Sequence, residues 1–103
     1  LRHYERALAV AERAGGRGPL ADVLTSVGRT HYDLKQYVRA LPYLARSQRI
    51  CEQDSLLDQL GANSLALGQT QQALGQRGPA EANLRRALAL ARQIDDAEAV
   101  LLR

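Results

Sequence analysis

Phenylalanine, tryptophan and methionine are absent from this chain of 103 residues, and tyrosine, at four positions, is its only large aromatic. A core without bulky rings must be built from Leu, Ala and Val with Tyr as filler, and small side chains let helices pack closely. A single cysteine, Cys51, excludes an internal disulfide and any CxxC pair, which fits a reducing compartment. No stretch approaches the ~18 apolar residues of a membrane span and no leader peptide is visible, so the chain reads as soluble and cytoplasmic. A dense basic patch is missing as well: 14 Lys plus Arg against 11 Asp plus Glu leave a net charge of +3. That favours acidic partners slightly and lacks the concentrated footprint of a nucleic-acid binder. The 46% of apolar and 24% of charged residues suffice for one packed domain, neither disordered nor collagen-like.

One interval organises the chain. Gly28 and Gly68 stand forty residues apart, as do Val27 and Leu67, Thr30 and Thr70, Ala40 and Ala80, and Leu20 and Leu60. Triples extend the pattern: Tyr4, Leu44, Leu84; Arg6, Arg46, Arg86; Ala7, Ser47, Ala87; Val10, Ile50, Leu90; Ala11, Cys51, Ala91. A unit repeated without insertion predicts a solenoid, in which each piece buries its apolar face only by stacking on the next.

Within a unit the pattern predicts two helices. Leu20, Val23, Leu24, Val27, His31 and Leu34 step by three or four and line one face of a helix A. Lys35 and Gln36 form a turn, and Tyr37, Ala40, Leu41, Leu44, Ser47, Gln48 and Cys51 line a helix B. Pro42 falls near the start of that helix, where few N–H groups need an acceptor. In the second unit Ser55 and Asp58 have the spacing of a capping box, Gly75 stops helix A, and Pro79 opens helix B. Asp95 and Asp96 would cap a last helix holding Val100, Leu101 and Leu102. The expected division is residues 1–14 as helix B of a preceding repeat, 20–54 and 55–94 as repeats, and 95–103 as the start of a further helix A. Opening at Leu1 and stopping inside a helical pattern, the chain reads as a fragment of a longer array.

These residues resemble the tetratricopeptide repeat, whose helix A carries a Leu-Gly pair and whose helix B carries alanines seven apart. Val27-Gly28 with Tyr37, Ala40, Leu44 and Ser47 fit it, as do Leu67-Gly68 with Gly75, Ala80, Leu84 and Ala87. Tyr4 and Ala7 look like the tail of a preceding repeat. The common unit is about 34 residues, so the longer interval resembles the extended-helix variety of kinesin light chains and bacterial regulatory proteins. His31 and Gln71 stand where an aromatic is usual, Lys35 where a turn glycine is, and Ser47 and Ser64 where alanine or an apolar residue is. The resemblance implies an all-α, right-handed α-solenoid of about two and a half repeats.

It also implies a function: a non-catalytic scaffold that takes a protein or peptide ligand in a concave groove lined by the A helices. Opposite the packing stripe of the first helix A lie Asp22, Thr25, Ser26, Arg29 and Asp33, with Tyr32 beside them. The second unit offers Ala62, Leu65, Ala66, Gln69 and Gln72. Arg29 could grip a carboxylate through a bidentate pair and Gln69 an extended backbone. Alternatively, Arg29 pairs with Asp33 on a solvated helix. The Lys and Asn set with which relatives clamp chaperone C-termini has no counterpart at matching positions. Other roles consistent with the pattern are a sensor or regulatory segment of a larger protein, and self-association through exposed solenoid ends.

No constellation of catalytic residues stands out, and no cofactor or metal is implied. Cys51 shares its register with Ala11 and Ala91, which marks a small core residue; across an antiparallel hairpin it is offset from His31 by roughly 15 Å, too far for a nucleophile and base pair. His3 and His31 lack zinc-ligand spacing, and Gly15 to Gly18 lack the Lys-Ser/Thr of a phosphate loop. Arg6, Arg46 and Arg86 form a ladder that could meet phosphates, or could be the solvated outer face of successive B helices.

Overall fold

The computed structural model describes residues 2–102; Leu1 and Arg103, at the two outer limits of the expected units, lie outside the described residues. Five helices follow one another: α1 (Arg2–Ala14), α2 (Arg17–Asp33), α3 (Tyr37–Gln53), α4 (Leu57–Ala73) and α5 (Arg77–Leu101). Among the described residues there is no strand. The chain is an all-α solenoid of about two and a half helical hairpins, with α2 and α4 as A helices and α1, α3 and α5 as B helices.

The interval of forty resolves into two steps of twenty. Gly15 (φ 74°), Lys35 (φ 60°), Ser55 (φ 54°) and Gly75 (φ 77°) all adopt left-handed backbone, one after each of the first four helices. The residue after each of the last three returns its N–H to the helix just completed: Gln36 N to His31 O (2.8 Å), Leu56 N to Cys51 O (2.9 Å) and Gln76 N to Gln71 O (2.9 Å). Such a reversal satisfies orphan carbonyls at the helix end and turns the chain back on itself. Glycine adopts it freely, whereas Lys35 and Ser55 bear a steric cost of about 1–2 kcal/mol.

Four local expectations need correction. Ser55 is the left-handed residue that closes α3; Leu56 is the N-cap of α4 and has no side-chain cap, so the capping box does not form. Helix α2 begins at Arg17, before Gly18 and Pro19, because the first-turn N–H groups that Pro removes need no helical partner. Pro42 lies six residues into α3, past the first turn, and deprives the Val38 carbonyl of its helical donor at an exposed residue. Finally, α5 runs unbroken through Asp95 and Asp96 to Leu101, so no new helix starts at 95. Ala97, Glu98 and Ala99 favour helix, so the helical bonds continue through the two aspartates. Val100, Leu101 and Leu102 are left exposed.

The core lies between A and B helices. Ala21, Leu24, Ile50, Cys51, Leu60 and Leu90 form one buried cluster, and Ala40, Leu44, Ala66 and Leu67 a second. The recurrent glycines set the distance between helices. A Cβ on Gly28 would stand 2.5 Å from Leu44 Cγ, and one on Gly68 would stand 2.8 Å from Leu84 Cγ. Each glycine therefore admits the leucine of its own B helix, which is why both recur at the same interval.

Candidate functional site

The two A helices, α2 and α4, pack directly on each other, whereas α1, α3 and α5 bridge one another only through side chains. Elements that stand closer together form the inside of a curve, so α2 and α4 line the concave side. Along α2, Asp22, Ser26, Arg29 and Asp33 lie exposed on one stripe, and along α4 so do Ala62, Leu65, Gln69 and Gln72. Among the described residues Arg29 makes no ion pair, with Asp33 or any other acid. Its guanidinium is free for a carboxylate. Tyr32 is half-buried with its ring 5.4 Å from that of Tyr37.

Two expected surface residues turn inward. Ala66 is 6% exposed and packs with Ala40, Leu44 and Leu67, because α4 inserts between α3 and α5 and buries that side. Thr25 belongs to a polar junction among α2, α3 and α4. Its hydroxyl lies 2.9 Å from Asn63 Oδ1 and 2.7 Å from Ser47 Oγ. Asn63 Nδ2 donates to the Leu44 carbonyl at 2.8 Å. Thr25 has one hydrogen, which goes to Asn63, so Thr25 can only accept from Ser47, whose own single hydrogen serves either Thr25 or the Ala21 carbonyl. Ser47 Oγ also approaches the Ala21 carbonyl at 2.9 Å. Asp22 is engaged too, since Gln59 Nε2 donates to its Oδ1 at 2.6 Å and to the Gly18 carbonyl at 2.9 Å.

Gln59, Ser47 and Asn63 were not among the expected site residues. A signal for two of them existed. Ser47 occupies a register held by Ala7 and Ala87, and Asn63 one held by Val23, so both are polar breaks in an apolar pattern. At a repeat junction, such breaks mark paired buried polar groups.

The outer face carries the arginine ladder. Arg46 Nη1 lies 2.8 Å from Glu12 Oε1, and Arg86 Nη1 lies 3.3 Å from Glu52 Oε1, so two of its rungs tie successive B helices together. Between α1 and α3 a groove of ≈ 600 Å³ has Leu24 and His31 among its lining, with Arg39 and Tyr43 beside them. The His31 and Tyr43 rings stack with centroids 5.5 Å apart, and His31 Nδ1 is 2.8 Å from Gln36 Oε1. One repeat later, Gln48 donates to Asn83 and Asn83 to Gln71, an amide chain linking α3, α5 and α4.

Cys51 is fully buried. Burial pushes its thiol above the ordinary range, and a hydrogen bond with Ser47 pulls the other way without reversing it. This is the environment of a packing residue, not of an activated thiolate. Among the described residues no cluster of His, Cys, Asp and Glu could hold a metal ion, and no helix is long and apolar enough to cross a membrane.

Compared with known proteins, a family profile described as tetratricopeptide repeat matches residues 20–93. No curated protein and no solved structure matches the chain.

Proposed function

Because the chain belongs to the tetratricopeptide repeat family, whose members generally mediate protein–protein interactions, we propose that it is a non-catalytic scaffold binding a peptide or partner helix along α2 and α4. The observation that carries this reading is the unpaired Arg29 on the inner stripe, with Ser26 and Asp33 beside it and Gln69 exposed on the neighbouring helix. An arginine free of local acids offers a bidentate grip on a carboxylate, and an exposed amide supplies a donor and an acceptor to an extended backbone. Asp22, engaged through one oxygen by Gln59, and Thr25, held by Asn63, are partly committed within the fold.

The test is selection from a displayed library of linear peptides against the chain. Enriched peptides should carry an acidic side chain or a free C-terminus. Arg29→Ala and Gln69→Ala should weaken each by about tenfold, the loss of one charge-assisted bond. Arg46→Ala on the outer face should leave binding unchanged. Peptides indifferent to both inner substitutions would overturn the concave reading.

A further inference from the structure

The outer groove between α1 and α3 is lined by residues that the repetition does not require. The framework around it recurs, Gly28 as Gly68, Ala40 as Ala80 and Leu44 as Leu84, but the lining changes: His31, Tyr43, Arg39 and Leu24 become Gln71, Asn83, Pro79 and Ser64 one unit later. There Gln48 donates to Asn83 and Asn83 to Gln71, so the amides engage one another. In the first unit the polar groups stay open. His31 is only 7% exposed, and its Nδ1–H donates to Gln36 Oε1 at 2.8 Å, which leaves Nε2 an acceptor without a protein partner among the described residues. Arg39, exposed on the rim, makes no ion pair among the described residues, whereas Arg46 is held by Glu12. Stacking of units does not close this face, because the corresponding helices α3 and α5 share no packing partner but α4.

We infer that this groove binds a small planar carboxylic acid carrying a hydrogen-bond donor away from its carboxylate. Its volume of ≈ 600 Å³ is that of a small-molecule site. The rings of His31 and Tyr43, stacked within 14° of parallel, join Leu24 and Pro42 in an apolar wall that a flat ring covers well. Arg39 supplies an uncommitted guanidinium, whose fork matches a carboxylate. Glu5, on the α1 side and likewise without an ion pair among the described residues, fixes the charge of the ligand. A monoanion held by Arg39 is tolerated beside it, whereas a phosphate dianion is repelled more strongly. His31 Nε2 selects a hydroxyl or N–H over a hydrocarbon edge, because an apolar edge laid against that acceptor would leave it desolvated and unpaired. None of these residues belongs to the concave stripe, so the inference stands apart from the peptide-binding reading.

The probes are 4-hydroxyphenylacetate, phenylacetate and inorganic phosphate, each titrated into the chain by isothermal calorimetry. The hydroxylated acid should saturate a single site, phenylacetate should bind about fivefold more weakly for want of a donor, and phosphate should not compete. Arg39→Gln, at an exposed position where circular dichroism should show the helices intact, should weaken binding of the hydroxylated acid at least about tenfold. His31→Phe keeps a ring in the stack and should bring the two acids to equal affinity. Arg29→Ala should change neither, so this groove and the inner stripe can fail separately. The inference is overturned by any of four results: no saturable binding of 4-hydroxyphenylacetate, undiminished binding by the Arg39 variant, a preference for the hydroxyl that survives His31→Phe, or competition by phosphate.

Discussion

The two full hairpins share one register and differ in what lies on their far side. The α2–α3 hairpin is covered by α4 and joined to it by hydroxyls and amides, while the α4–α5 hairpin presents the same positions uncovered and apolar. Identical spacing therefore does not make identical residues energetically equal. The worth of a side chain in a solenoid depends on the neighbour stacked upon it.

Truncating the register-equivalent leucines is the most direct way to break that contrast. Leu44→Ala should cost about 2–5 kcal/mol, as for a buried leucine whose cavity cannot collapse, and Leu84→Ala about half of that because solvent already reaches it. Urea unfolding of both variants reads the gap, and equal losses would show that the cover of α4 contributes nothing. The glycines sharpen the same point. Gly28→Ala drives a methyl against Leu44, held on all sides, and should cost roughly 1–3 kcal/mol; Gly68→Ala meets Leu84, which can move into the open groove, and should cost less. A thermal melt with the reverse order would show that helix spacing, not the side chain's freedom, sets the penalty.

Removing the polar junction isolates the chemistry that only the first hairpin has. Asn63→Ala removes the bonds to Thr25 and to the Leu44 carbonyl and should lose about 1–3 kcal/mol, while Ala62→Ser, one residue away on the exposed side, should stay within about 0.5 kcal/mol. The two A-to-B turns offer a smaller comparison. Lys35→Gly should stabilise the chain by about 1 kcal/mol by removing left-handed strain at the place where Gly75 has none. A fall in the melting temperature would mean that the Lys35 side chain contributes something its backbone does not reveal. Smallest of all, Arg46→Ala and Arg86→Ala should each change stability by about 0–1 kcal/mol, and the difference should vanish in high salt because both pairs are exposed.

Much of the fold was legible because solenoid stacking imprints a period. The interval located both hairpins, and Gly28 and Gly68 marked the close crossings that the structure contains. The half-step of twenty was hidden, since its marker residues are Gly15, Lys35, Ser55 and Gly75, and left-handed backbone is visible in a sequence only where glycine supplies it. The inner face was legible as a stripe, yet Thr25 and Ala66 were misplaced on it. A helix wedged between two others buries more than the half that periodicity allots to packing, and only the position of α4 decides which flank is lost. The continuation of α5 through Asp95 was missed for a related reason. Aspartates fit a cap, but they are also tolerated within an exposed helix when good helix formers such as Ala97 and Ala99 follow.

The amino-acid sequence by itself determined the helical hairpin, its register and its repetition, because small and apolar residues at a fixed interval can be buried in no other common way. Tertiary structure alone decided which polar groups are spent on the junction, that Arg29 stays free, and that Leu65 and Leu88 face an uncovered groove. Those are properties of which helix lies against which, and burial, unlike periodicity, is created by the neighbour.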